Sequence, residues 1–148
     1  MSVTGTKPAW EVSLELPMPP SVNKAYVSLN KRRILSKDGK LYKQSVRDII
    51  GQAYGTTPIP SMENTPLTLK VVLVFDAIEN KGWSKGTAKS RYKRVDVSNR
   101  VKLLEDAMFE VLGVDDSLIF SLYVTKREGD TPTALVTLTP YMEGRVDE

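Results

Sequence analysis

The stretch Arg94-Val95-Asp96-Val97-Ser98-Asn99-Arg100-Val101-Lys102-Leu103-Leu104-Glu105-Asp106-Ala107-Met108-Phe109-Glu110-Val111-Leu112-Gly113-Val114-Asp115-Asp116-Ser117-Leu118-Ile119 sets the plan of the chain. Val101, Leu104, Met108 and Val111 recur at helical spacing and predict one apolar stripe. Asn99, Lys102, Asp106 and Glu110 recur at the same spacing on another face, so the helix has an apolar back and a polar front. Asp96 or Ser98 can serve as N-cap, its side-chain oxygen accepting an amide of the first turn. Gly113 predicts the C-terminal stop, because glycine adopts the left-handed conformation there without a Cβ penalty. Asp115 and Asp116 then open a second apolar run. Asp96 and Asp116 can meet only if the chain folds back, as it does when a strand follows the helix and lies beside it.

On the N-terminal side of this stretch, the nearly continuous apolar run Leu67 to Phe75 predicts a strand central in its sheet. Asp76 to Tyr92 reads as a long polar loop, and Trp83 within it can stack on a nucleic-acid base or fold back onto the core. Earlier still, Trp10 to Leu16 alternates apolar and polar side chains, the pattern of a half-buried strand. Pro17, Pro19 and Pro20 stop it and predict an irregular turn. Tyr26 to Leu35 predicts a short hairpin around Asn30-Lys31-Arg32-Arg33. A helix begins at Ser36, buries Tyr42, Val46, Ile49, Ile50 and Ala53, and ends near Gly55. On the C-terminal side, Leu118 to Lys126 and Thr133 to Pro140 read as two strands, joined through Glu128 to Pro132 as a hairpin. The sum is an α/β or α+β domain, a small mixed sheet with two main helices packed on it. Residues 10–142 form one domain, with loose tails at 1–9 and 143–148.

The chain has 148 residues, no cysteine and no histidine. Thiol nucleophiles, thiolate zinc sites and disulfides are thereby excluded, as are imidazole bases and ligands. Catalysis, if present, must use carboxylates, lysine, hydroxyls or an oxygen-bound metal, for which magnesium and manganese are the natural partners. The formal charge of +3 is unevenly placed: residues 20–47 and residues 81–102 each carry eight basic residues against a single aspartate. Two cationic segments in an otherwise acidic chain predict a polyanion-binding surface, with solvated loops as the plainer alternative. No apolar run approaches the ~20 residues of a membrane span, and no basic-then-apolar leader opens the chain, so a cytoplasmic location is expected.

Three motifs resemble those of the RusA-type Holliday-junction resolvases, endodeoxyribonucleases common in prophages. Pro19-Pro20-Ser21-Val22-Asn23-Lys24-Ala25-Tyr26 is similar to the family's Pro-Pro-Ser-x-Asn-x-x-Tyr opening. Arg94-Val95-Asp96-Val97-Ser98-Asn99-Arg100-Val101-Lys102 resembles its Arg-x-Asp-x-Asp-Asn-x-x-Lys motif, and Asp106 keeps a further acidic position. Asp115-Asp116-Ser117-Leu118-Ile119 resembles its Asp-Asp-x-x-Ile/Val element. The order and spacing match over about residues 10–140.

The resemblance implies a homodimer that makes paired, metal-dependent nicks in four-way DNA during recombination and repair. Asp96 and Asp116 are the implied ligands of Mg2+ or Mn2+, with Asp115 and Asp106 as nearby candidates to join them, and Lys102 is implied to contact the scissile phosphate or the leaving oxygen. Ser98, Asn99 and Asp106 support them. Asn23, Lys24, Arg32, Arg33, Lys89, Arg91, Lys93 and Arg94 are expected on DNA phosphates, which positions nucleic acid without reading its sequence. Structural roles compete with these: Asp96 as a helix cap, Lys102 and Asp106 as an exposed pair four residues apart, Asp115 and Asp116 as turn residues. One position departs from the motif, because Ser98 stands where the family has aspartate. Serine keeps a hydroxyl and loses the charge. The alternative reading is therefore a branched-DNA-binding module with weak or absent cleavage.

Overall fold

The computed structural model describes residues 8–93 and 97–142. Its centre is strand β4 (Leu67–Phe75), whose alternate residues Leu67, Leu69, Val71 and Leu73 are all buried. The other strands are β1 (Val12–Leu16), β2 (Tyr26–Leu29), β3 (Arg32–Leu35), β5 (Ile119–Glu128) and β6 (Thr133–Pro140). The helices are α1 (Val22–Ala25), α2 (Lys37–Ala53) and α3 (Ser98–Leu112), with a 3-10 turn at Asp116–Leu118. The main sheet has four strands in the order β1-β6-β4-β5, while β2 and β3 form a separate two-stranded sheet. The result is a mixed α+β fold with two main helices, as the pattern of elements predicts.

The helices cover one face of the main sheet. Helix α2 starts where Ser36 caps it, Ser36 Oγ accepting from the Gly39 amide at 3.1 Å, and it buries Tyr42, Val46 and Ile50. Helix α3 buries Val101, Leu104 and Met108, and also Leu103, Ala107 and Phe109, because it packs on α2 as well as on the sheet. Lys43 and Arg47 of α2 reach Glu110 of α3 at 3.2 and 3.5 Å. Gly113 ends α3 at φ 69°, as expected.

Three local expectations are corrected. β5 and β6 do not form a hairpin. β4 lies between them, parallel to β5 and antiparallel to β6. Helix α3 returns the chain to one edge of β4, and the other edge is filled by β6. The short link after β5 therefore crosses the end of β4. Gly129 makes that crossing, its amide donating to Phe75 O at 2.8 Å, and a Cβ there would stand 2.6 Å from Val74 Cγ1.

The second correction concerns the proline-rich turn, which contains the single helical turn α1. The Lys24 and Ala25 amides donate to Ser21 O at 3.0 and 2.9 Å, and the prolines precede the turn, where a missing amide costs nothing. Third, Ser98 is not the N-cap. Val97 takes that position with helical dihedrals and no side-chain cap, so Ser98 is already the first helical residue. Asp96, the other expected cap, lies outside the described residues, as do most of the expected N-terminal tail and all of residues 143–148.

Candidate active site

One polar flank of α3 carries Ser98, Lys102 and Asp106. Ser98 and Lys102 are exposed, one turn apart. Asp106, half-buried a turn further on, accepts a hydrogen bond from Tyr26 Oη at 3.2 Å. Tyr26 is the first residue of β2, so this bond fastens the small hairpin to the helix. The two residues expected to pair on this face, Lys102 and Asp106, form no ion pair.

Glu105, which the expectations omitted, is half-buried on the same helix. Burial, and then the neighbouring Asp106 carboxylate, push the Glu105 carboxyl above the ordinary carboxylate range. Lys102 pulls it down, and Asp116 adds a further upward push. The charges of Lys102, Asp106 and Asp116 thus all reach Glu105, although Asp116 lies beyond the end of the helix. The signal for Glu105 was its spacing, seven residues after Ser98 and three after Lys102, which keeps it on their side of α3.

Asp115 and Asp116 play different parts. Asp115 Oδ1 accepts from the Ser117 amide at 3.0 Å and caps the 3-10 turn, and this hydrogen bond holds its carboxyl below the ordinary range. Asp116, the first residue of that turn, is exposed.

Arg100 was also missed. Its Nη1 donates to Pro19 O at 2.9 Å, and its guanidinium lies 5.5 Å from the centre of the Phe75 ring. It thereby ties the Pro-Pro-Ser segment and the end of β4 to the first turn of α3. Beside it opens a cleft of about 410 Å³, lined by Ser21, Lys24, Tyr42, Ser45 and Arg100. Two cations and the Ser21 and Ser45 hydroxyls in this lining suit a phosphate, although Asp38 offsets part of the charge and the Tyr42 hydroxyl is committed to Pro17 O at 2.9 Å.

The expected DNA contacts separate into groups. Lys24, Arg32, Arg33 and Lys89 are exposed. Arg91 is exposed too, but its Nε is 2.7 Å from Glu79, which neutralises it locally. Lys93 is half-buried, with its amide donating to Ile78 O. Arg94 lies outside the described residues, and Asn23 and Asn99 are placed by their backbones alone, in α1 and in the first turn of α3. Trp83 stays 42% exposed and is not among the residues packed on the core.

The family model for endodeoxyribonuclease RusA matches residues 17–139, from the first proline turn into β6. The chain belongs to the RusA endodeoxyribonuclease family. The match spans every element of the site: the Pro-Pro-Ser segment, the hairpin, α3 and the Asp115-Asp116 turn. A comparison with curated proteins gives no match. RusA-family proteins resolve Holliday junctions as endonucleases and generally depend on a divalent metal.

The donor chemistry around α3 agrees with such an ion, since every candidate ligand is an oxygen and none is nitrogen or sulfur. Among the described residues no three carboxylates converge closely enough to hold a metal. Asp96, one of the expected ligands, lies outside those residues. No helix among the described residues is long and apolar enough to cross a membrane.

Proposed function

We propose that the chain is a magnesium- or manganese-dependent endonuclease that resolves four-way DNA by paired phosphodiester hydrolysis. The observation that carries this reading is the family match over residues 17–139, which takes in α3 with Lys102 and Asp106 and the Asp115-Asp116 turn that follows it. Asp96 and Asp116 would hold the ion, with Asp115 beside them. When bound, the ion supplies charge neutralisation at the phosphate and an activated water. Lys102 Nζ, on a mobile four-carbon stem at the exposed side of α3, binds a phosphate oxygen and offsets charge on the leaving oxygen. Asp106, held by Tyr26, fixes the hairpin against the helix that carries Lys102. Lys24, Arg32, Arg33 and Lys89 bind flanking phosphates, and the resulting affinity falls with salt.

Paired nicks in a symmetric junction need two centres, and a homodimer would provide them. Strand β5 is an edge of the main sheet, and its Phe120, Leu122 and Tyr123 are exposed along that edge, which a second copy could cover. The second reading, a module that grips branched DNA without cutting it, is favoured by Ser98 alone. That serine begins α3 on the same flank as Lys102 and brings no charge to it.

The deciding measurement is cleavage of a labelled synthetic four-way junction with magnesium, with manganese and with EDTA, beside Asp116→Asn. Paired, metal-dependent nicks that vanish in the variant support the nuclease. Tight binding without nicks supports the module.

A further inference from the structure

The β2–β3 hairpin stands apart from the main sheet, and its two faces differ. Val27 pairs with Ile34 and Leu29 with Arg32, so these four side chains share one face. Tyr26, Ser28, Arg33 and Leu35 share the other. The second face is fastened: Tyr26 and Leu35 pack on the core, Tyr26 bonds Asp106, and the Arg33 guanidinium lies 5.3 Å from the Tyr26 ring centre. The first face is open. Leu29 beside the turn is 56% exposed, and Val27 and Ile34 behind it are exposed as well.

The ribbon is stiff. Asn30 and Lys31 both have positive φ, 52° and 64°, which is the tight two-residue turn that matches the twist of paired strands. At the base, the Ser36 amide donates to Ala25 O at 2.7 Å, and Ser36 Oγ donates to Lys24 O at 2.6 Å. Three consecutive cations, Lys31, Arg32 and Arg33, crown the tip, and residues 26–35 contain no acid. Among the described residues neither Lys31 nor Arg32 has an ion-pair partner.

We propose that this hairpin is a wedge: Leu29, backed by Val27 and Ile34, enters the branch point of four-way DNA and lies against unstacked bases, while Lys31 and Arg32 hold the phosphates on either side. The proposal rests on the junction-binding reading above and deepens it. Apolar side chains with flanking cations are the combination that separates base steps, since the ring faces need apolar contact and the backbone needs neutralising. A second copy is the weaker occupant. A symmetric contact through this strip would bring two sets of three cations together, whereas DNA meets the strip and the tip with the chemistry each lacks. The root of the wedge ends on Asp106, one turn from Lys102. Opening the branch point and presenting a phosphate to α3 are thus one placement.

The experiment uses the whole protein in EDTA with a four-way junction carrying 2-aminopurine at the branch point, and a control with the probe inside one arm. Fluorescence at the branch point should rise roughly threefold or more at saturating protein, with little change in the arm. Leu29→Ser should lose most of that rise at saturation. Leu29→Phe should keep it, and thermal melts should show both variants folded. Branch-point fluorescence that is unchanged in Leu29→Ser would overturn the wedge. So would wild-type protein that binds the junction without brightening it, and in that outcome junction binding stands. A change in sedimentation of Leu29→Ser would assign the strip to a protein interface and overturn the wedge as well. Absence of any binding to branched DNA at low salt would instead remove the parent reading and the wedge with it.

Discussion

Tyr26 Oη, at the root of the hairpin, donates to Asp106 Oδ2 across 3.2 Å, joining two residues 80 positions apart in the sequence. The bond couples the hairpin to the flank of α3. Tyr26→Phe removes it and keeps the ring. Urea unfolding should show a loss of about 1 kcal/mol, the usual net worth of a partly buried hydrogen bond. Burial, and next the Asp106 charge, hold the phenol above its ordinary value. The folded protein therefore keeps this proton when the unfolded chain has begun to lose it. The bond's stability is complete below about pH 10 and declines as pH rises beyond it, a decline that Tyr26→Phe lacks.

Glu105→Gln should stabilise the protein at neutral pH. The wild-type carboxyl is held above its ordinary value, first by burial and then by Asp106. Its ionisation is thus costlier in the folded state than in the unfolded one, and stability falls as pH rises through the window between the two values. The gain at pH 7 should be on the order of half a kcal/mol, because the group is partly exposed and solvent screens the cost. The gain should disappear below about pH 4, where both states carry the proton. Paired melts at the two pH values read it directly. Equal melts at both would place Glu105 in water, apart from the Asp106 charge.

Arg32 and Arg91 should differ on DNA. Arg91 is paired with Glu79 at 2.7 Å, while Arg32 has no ion-pair partner among the described residues. Arg32→Ala should weaken junction binding and reduce the slope of log affinity against log salt by about one. Arg91→Ala should change that slope less, since its charge is already partly offset. A salt titration by fluorescence anisotropy compares them.

Ser98→Asp tests whether the flank of α3 is short of charge. If the proposed nuclease reading holds, the new carboxylate should raise cleavage of four-way DNA at limiting magnesium by roughly tenfold, the smaller end of effects seen for groups that support a bound metal. It should also lower the magnesium concentration that half-protects the protein against thermal unfolding. No change in either readout would mean that the existing carboxylates suffice.

Gly129→Ala addresses the crossing over β4. An added methyl would meet Val74 Cγ1 at 2.6 Å, and the Gly129 amide is committed to Phe75 O. Overpacking of this kind costs about 1–3 kcal/mol, measurable as a lower denaturant midpoint with an unchanged slope.

Local signals carried much of this fold. The apolar run Leu67 to Phe75 marked the central strand, Ser36 and Gly113 marked helix ends, and Tyr26 to Leu35 marked the small hairpin. The partner of β6 was not legible, because the four residues between Glu128 and Thr133 look the same whether they turn a hairpin or step across a strand. That choice belongs to β4, which has two edges to fill and lies far away in sequence. At the site, Lys102, Asp106 and Asp116 stood out by motif and spacing. Glu105 was hidden because Leu103 and Leu104 beside it drew the reading toward the apolar stripe. Arg100 was hidden because its partners, Pro19 O and the Phe75 ring, are remote in the chain.

The pairing of β1 with β6 sets the first strand against the last, Val12 opposite Leu138 and Leu16 opposite Ala134. On the ribosome, the edge of β1 that pairs with β6 must wait unmatched until every other described strand has been made. The sheet that backs α3 then closes by pairing strands that lie far apart in sequence, the slowest kind of contact to form. Until that step a partly made chain lacks the finished support for the flank that carries Lys102 and Asp106, so the residues of that flank are made before the sheet behind them is whole.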